Sequence, residues 1–312
     1  MKITVIGHLC LDAIQHPDGT ETQSYGGIFF SVATLANLLG KRDIIVPVFG
    51  VGKGEYDALI ERLCVYPNVD TSGIYKFAGP TNQVSLTYKN SNERMECSRH
   101  IAEPIPLKKI RPHLDADCIL INMISGFDIT LETLDEIRME VRESHTPIYL
   151  DIHSVTLGIT NDFTRYHRPV ETWRRWLFMI HAVQMNETEA DILTYEHFDE
   201  GALAKHTLAL NTKALIITRA ERGCTAFIDT HKHISRHDVA GVPARGSTVD
   251  PTGCGDVFGA AYCAQYMKTK DILASLQFAN TVAASKAELP GSTEIDTLVS
   301  FRLEELQEEQ KR

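Results

Sequence analysis

No apolar run in this chain approaches the length of about 20 residues that crosses a bilayer. Nor does a charged segment followed by an apolar stretch mark a secretion signal. We therefore expect a cytoplasmic protein that does not engage a membrane. Basic blocks are missing as well: 31 Lys and Arg against 41 Asp and Glu give a net charge of −10, and the charges are spread rather than grouped. A nucleic-acid-binding surface thus has no compositional support. The seven cysteines, at positions 10, 64, 97, 118, 224, 254 and 263, are odd in number and contain no C-x-x-C pair. Reduced thiols fit this better than a disulfide framework. His231 and His233 alternate in a polar hairpin without further ligands nearby, so they read as surface residues rather than zinc ligands.

Two familiar nucleotide signatures are also absent. After the first strand candidate the chain reads Gly7-His8-Leu9-Cys10 instead of G-x-G-x-x-G, which argues against a dinucleotide-dependent oxidoreductase. Gly50-Val51-Gly52-Lys53-Gly54 superficially evokes a P-loop, but Gly54 stands where Ser or Thr is required, and Pro47 stands where the leading glycine belongs. Lys53 reads as a solvated surface charge.

What is present is an alternation of short apolar runs with helical stretches. Strands are expected near residues 2–7, 44–48, 117–121, 147–151, 181–185 and 214–218, each followed by helical material, which predicts a mostly parallel, doubly wound α/β sheet. Between 70 and 103 the pattern turns strand-like, notably Gln83 to Tyr88 and Met95 to Ile101. With 312 residues, 43% of them hydrophobic, a large core and one domain with an insertion are expected. The Glu-rich stretch from Thr297 to Arg312 suggests a partly exposed C-terminal helix.

The most informative segment is Asp250-Pro251-Thr252-Gly253-Cys254-Gly255-Asp256, which runs directly into Val257-Phe258-Gly259-Ala260-Ala261-Tyr262. A glycine turn here opens a helix and delivers a carboxylate to its first turn. Backbone N–H groups freed at a helix N-terminus, at the positive end of its dipole, suit the oxygens of a transferring phosphoryl group. Glycine at 253 and 255 permits close backbone approach to an anion. A plain helix cap would account for the same residues if they stood alone.

They do not stand alone. The segment resembles the late signature D-x-T-G-A-G-D of the ribokinase-like (PfkB) family of carbohydrate and nucleoside kinases, with Cys254 in place of alanine. That cysteine would act through its N–H and add a site of oxidation. The strand Ile3 to Gly7, the following Asp12 and the pair Gly26-Gly27 match early landmarks of the family, and Phe49 to Asp57 is similar to its G-x-V-G-x-D segment. The resemblance implies a ribokinase-like sheet flanked by helices, in a single domain over 1–312, with a small β-strand lid from about 9–25 and 70–103. Lid strands form dimer interfaces in some relatives, which leaves a homodimer through the lid open.

The resemblance also assigns roles. Asp12, Gly26, Gly27 and Ser31 fall at acceptor-binding positions, although Ser31 stands where the family often has Asn. Asn186 and Glu189 match the N-x-x-E motif that organises magnesium and its waters, and they equally suit a helix capping box. Thr218 and Gly223, in Thr218-Arg219-Ala220-Glu221-Arg222-Gly223, resemble the T-x-G-x-x-G nucleotide loop with Ala220 replacing its first glycine, and Asn280 falls where relatives line the adenine pocket. Asp151-Ile152-His153 departs from the common D-x-N; with Ser31 it suggests an acceptor other than ribose. A monovalent cation, potassium, is possible beside Asp250 and Thr252, as in several relatives.

The implied reaction is in-line transfer from ATP with Mg2+. Asp256 takes the proton of an acceptor alcohol, while the amides of Gly253, Cys254 and Gly255 hold the developing charge. The acceptor would be a small-molecule sugar, polyol or nucleoside. A nucleotide or sugar sensor without catalysis, on the same fold, is the competing class. The retained Asp256 favours the kinase.

Overall fold

A computed structural model describes residues 1–15, 19–88, 94–230, 233–243 and 250–301. His231 and the segment 302–312, where most of the expected C-terminal helix falls, lie outside the described residues; a 3-10 helix occupies Ile295–Phe301.

The apolar runs become a nine-stranded sheet. In spatial order its strands are Ile234–Ala240, Gly223–Asp229, Ala214–Thr218, Ala182–Asn186, Ile148–Asp151, Cys118–Asn122, Lys2–Ile6, Ile44–Gly52 and Ile74–Phe77. The seven strands from Ala214–Thr218 to Ile74–Phe77 run parallel, and the first two form an antiparallel edge. Parallel strands covered on both faces read as continuous apolar runs. Cys118–Asn122 and Ile148–Asp151 accordingly have every residue buried. The antiparallel edge has a different origin: Ile234–Ala240 alternates exposed and half-buried positions, the period of a strand with one solvated face.

The first strand departs from the strand-then-helix expectation. Lys2–Ile6 leads into Leu9–Gln15 and Glu21–Gly27, and only then into the helix Ile28–Leu38. Those two strands join Asn82–Tyr88 and Arg94–Arg99 in a second sheet, ordered Glu21–Gly27, Leu9–Gln15, Asn82–Tyr88, Arg94–Arg99. The strand-like pieces expected between 70 and 103 are therefore present. A short ribbon pairs Leu157–Ile159 with Arg165–His167. Among the described residues no helix is long and apolar enough to cross a membrane, and all seven cysteines are free.

Two late helices, Cys254–Thr269 and Ile272–Lys286, pack against each other. The first carries the small residues Gly259, Ala260, Ala261 and Ala264, which let it lie close on the sheet and on Ile28–Leu38. Its N-terminus thereby reaches the carboxyl edge of the strands. In open α/β sheets that edge, where strand order reverses, is where ligands bind. Here the order reverses between Lys2–Ile6 and Cys118–Asn122.

Candidate active site

Register aligns the polar ends of the central strands. Asn122 pairs with Asp151, Asp151 with Gln184, and Asn186 with Thr218. Above this row lies a cleft of about 460 Å3. Twelve of the residues proposed from sequence line it: Asp12, Gly27, Asn186, Glu189, Thr218, Gly223, Thr252, Gly253, Cys254, Gly255, Asp256 and Asn280. Val84 and Leu86 of the second sheet form part of its apolar wall.

Gly253 caps the helix Cys254–Thr269 with φ of 81°, in the left-handed region, and a Cβ there would sit 2.6 Å from the Phe30 ring. Only glycine meets both conditions cheaply. The Cys254 amide turns back to the Pro251 carbonyl at 3.2 Å, so it is committed to the turn, contrary to the expectation that it faces an anion. Among the described residues the Gly253 and Gly255 amides take no partner. Two open donors at a helix N-terminus suit the binding of an anion. Burial pushes the Cys254 thiol up to about 11, which keeps it protonated and removes the reactivity that the sequence suggested.

Asp256 stands in the first turn beside these donors. Its Oδ1 accepts a 2.6 Å hydrogen bond from the Asn122 amide. Burial raises its pKa to about 6, against the lowering effects of the Asn122 bond and of the His153 and Lys286 charges. A carboxylate poised there is ionised near neutrality yet more basic than a surface aspartate. Asn122 escaped the sequence reading; its signal was a polar residue ending the apolar strand Cys118–Asn122. Ser31, expected to touch the acceptor, is fully buried and does not line the cleft. Its hydroxyl accepts from Asn122 at 3.0 Å and donates to the Asp256 carbonyl at 3.3 Å, so it acts from behind.

At the other end, Asp12 rises from Leu9–Gln15 into the cleft. Its pKa is raised to about 7, first by burial and further by the Asp256 charge, while a bond from the Cys10 thiol, 3.1 Å, works the other way. Gly26 lies outside the lining, and its role is spatial: a Cβ there would fall 1.9 Å from the Asp12 Oδ2 atom. Gly27 caps the helix Ile28–Leu38.

Asn186 and Glu189 form the capping box: the Asn186 side chain accepts from the Glu189 amide, and the Glu189 carboxylate accepts from the Asn186 amide. Glu189 Oε1 also accepts from Asn186 Nδ2 at 2.7 Å and meets His153 Nδ1 at 2.8 Å. Burial alone would lower the His153 pKa, but the bond and charge of Glu189 outweigh it and raise it to about 9. His153 is thus an imidazolium at neutral pH, lining the cleft where the family pattern has a neutral Asn. Among the described residues no group of three or more acidic, His or Cys side chains could cage a metal. Such a donor set fits an ion held mainly through water and phosphate oxygens, which is how magnesium usually binds.

Beneath the loop runs a buried chain the sequence reading missed. Tyr149 donates to Gln184 Oε1 at 2.6 Å, and Gln184 Nε2 donates to Asp151 at 2.9 Å and to the Gly255 carbonyl at 3.1 Å. Asp250 also sits behind the loop, buried and outside the lining, with its carboxylate accepting from the Thr252 and Gly291 amides, both at 2.9 Å. At the far end Thr218 closes its strand, and Asn280 donates to the Ala240 carbonyl at 3.3 Å, tying its helix to the edge hairpin. Ala220 takes the missing glycine's conformation itself, at φ of 50°, a modest strain for alanine.

Residues 155–298 match the model of the pfkB family of carbohydrate kinases. Over that segment the chain is similar to this ribokinase-like family. Among curated proteins, the cytidine kinase of Thermococcus kodakarensis is 25% identical over 282 residues, covering 87% of this chain and 91% of that one. Among solved structures, a pyrophosphate-dependent kinase in the ribokinase family, complexed with a pyrophosphate analog and myo-inositol, superposes with a TM-score of 0.75 at 18% identity, over 93% of this chain and 96% of the other. A ribokinase II from E. coli with ATP and Mg2+ gives 0.71 at 18% identity, over 96% and 99%. These structures share the fold described above.

Proposed function

We propose that this protein is a PfkB-family kinase that transfers the γ-phosphoryl group of ATP to an alcohol group of a sugar or sugar-like acceptor, with Asp256 as general base. The observation that carries this reading is the placement of the Asp256 carboxylate, with its pKa near 6, in one cleft with two open helix-terminal amides and with Asp12.

In this reading Asp12 accepts hydrogen bonds from acceptor hydroxyls and fixes the acceptor at one end, while Thr218, Gly223 and Asn280 border the donor. The acceptor hydroxyl loses its proton to Asp256 as its oxygen attacks the γ-phosphorus. An O–P bond forms, the bond to the bridging β,γ-oxygen breaks, and ADP leaves with that electron pair. The Gly253 and Gly255 amides and the His153 imidazolium face the charge on the transferring group. Positioning and preorganised charge supply most of the acceleration. Asn186 and Glu189 would hold Mg2+ largely through its waters, and the ion when bound neutralises phosphate charge. The second sheet, with Val84 and Leu86 over the cleft, acts as a lid that excludes water, and its strands offer a surface for a homodimer. A cytoplasmic location belongs to the same reading.

A nucleoside acceptor is the second reading. It is favoured by the relative that is a cytidine kinase, matched over most of the chain, and by the apolar wall of Phe30, Val84 and Leu86 beside Asp12.

The test is donor consumption across pentoses, hexoses, inositols and nucleosides with Mg2+, using ATP and, in parallel, pyrophosphate. Turnover of one acceptor with ATP supports the reading and selects the acceptor class. ATP binding without turnover on any acceptor favours the sensor.

A further inference from the structure

Lys286 is among the largest side chains with no solvent exposure. It ends the helix Ile272–Lys286, a position where a lysine ordinarily reaches into water near the negative end of the helix dipole. Here the side chain turns inward. Its ammonium donates to the Asp250 carbonyl at 3.1 Å and to the Leu289 carbonyl at 3.2 Å, and it lies 5.5 Å from the centroid of the Phe30 ring. The same ring packs under Gly253, so the ammonium and the anion loop share one floor. The loop is pinned at this point on both sides: the Asp250 carboxylate binds the Thr252 and Gly291 amides, and its amide binds the Ala287 carbonyl.

A bare monovalent cation beside Asp250 and Thr252 would need the oxygen ligands at the back of this loop. The Asp250 carbonyl is already taken by a group of the same single charge. A second cation beside the ammonium would meet repulsion at short range in a buried site. The residues present therefore do not fit potassium.

We infer that the Lys286 ammonium replaces the monovalent cation expected beside Asp250 and Thr252, and that it positions the anion loop from behind and frees the protein from any need for potassium. The tether changes the thermodynamics of the site. A dissolved ion occupies it according to its concentration, whereas Lys286 is present whenever the chain is folded. Burial lowers the Lys286 pKa, and the neighbouring Cys254, Asp250 and Asp256 oppose that change and favour the charged form. As a positioning residue it touches no substrate; its effect reaches Asp256 and the open amides through the loop. The assignment rests on the kinase reading for its catalytic consequence, but not for its structural one.

Two readouts keep those apart. Thermal unfolding of the whole protein and donor consumption are measured in potassium chloride and in tetramethylammonium chloride at equal ionic strength, for the wild type, Lys286→Ala and Lys286→Met. The wild type should melt and turn over equally in both salts. Lys286→Ala opens the ammonium's space: it should melt lower and react at least about tenfold more slowly in tetramethylammonium, and potassium should restore much of both losses. Lys286→Met fills that space without charge and should respond to neither salt. A wild type stabilised or activated severalfold by potassium overturns the inference. So does a Lys286→Ala variant whose melting temperature ignores potassium, which would make Lys286 a packing residue. If no acceptor turns over, the melting arms still decide the cation's place while the kinase reading fails separately.

Discussion

The amide of Asn122 donates to the carboxylate of Asp256 across 2.6 Å, joining residues 134 apart in the chain. One ends a central strand and the other opens a late helix, so the bond fixes the carboxylate against the sheet. Removing it in Asn122→Ala has two expected effects. The first is a fall in kcat of about 10- to 100-fold, the value of one hydrogen bond to a charged group at about 1.5–3 kcal/mol. The second concerns pH. Asn122 lowers the Asp256 pKa, so its loss should raise that pKa and move the acid limb of the kcat profile to higher pH. An unchanged limb would detach Asn122 from the base.

Gly26→Ala should strike the acceptor alone. Its new Cβ would overlap the Asp12 carboxylate, with 1.9 Å to Oδ2, which forces Asp12 or the strand to move. We expect the acceptor KM to rise by about tenfold or more while ATP affinity, set at the other end of the cleft, stays within about twofold. Steady-state kinetics with each substrate varied checks this, and equal losses for both would point to general unfolding.

The cleft also sets how stability depends on pH. Asp12 and Asp256 carry folded pKa values of about 7 and about 6, above their ordinary value of 3.8, and burial together with the Glu189 charge raises Asp151 as well. Groups whose pKa is raised by folding contribute stability that is complete below the unfolded value and is lost as pH rises through the folded one. His153, raised to about 9 from 6.5, acts in the same direction over a higher range. The ligand-free protein should therefore melt several degrees higher near pH 5.5 than near pH 8.5, and Asp151→Asn should shrink that difference. A melting temperature that climbs with pH across this window would contradict the assigned environments.

Much of the architecture was readable from the chain because the physics was local. Six apolar runs gave the six central parallel strands, and Asn186 with Glu189 three residues on gave a capping box that the structure forms. The late glycine motif located the cleft. What escaped were side chains whose meaning depends on distant partners. Asn122 ends an otherwise apolar strand and looks like any strand terminus until Asp256 arrives from the far end of the sequence. Gln184 interrupts Ala182–Asn186, and its polarity makes sense only with Tyr149, Asp151 and Gly255 around it. Ser31 read as an acceptor contact because its position matched one, yet the helix turns it inward. Lys286 ends a helix, and nothing local in the sequence marks it as buried. The edge strands Gly223–Asp229 and Ile234–Ala240 were missed as a sheet extension because their outer partner is half polar.

The central claim is that Asp256 is the base of a phosphoryl transfer. Its most direct test is kcat for the wild type and for Asp256→Asn, on the acceptor found by the substrate panel, alongside the affinity of each for ATP. The amide is nearly isosteric and can still accept from Asn122, so the fold and the donor site should persist. We predict a loss in kcat of about 10² to 10⁴, the range for removing a positioned base, with ATP affinity little changed. Near-normal turnover by Asp256→Asn would contradict the account.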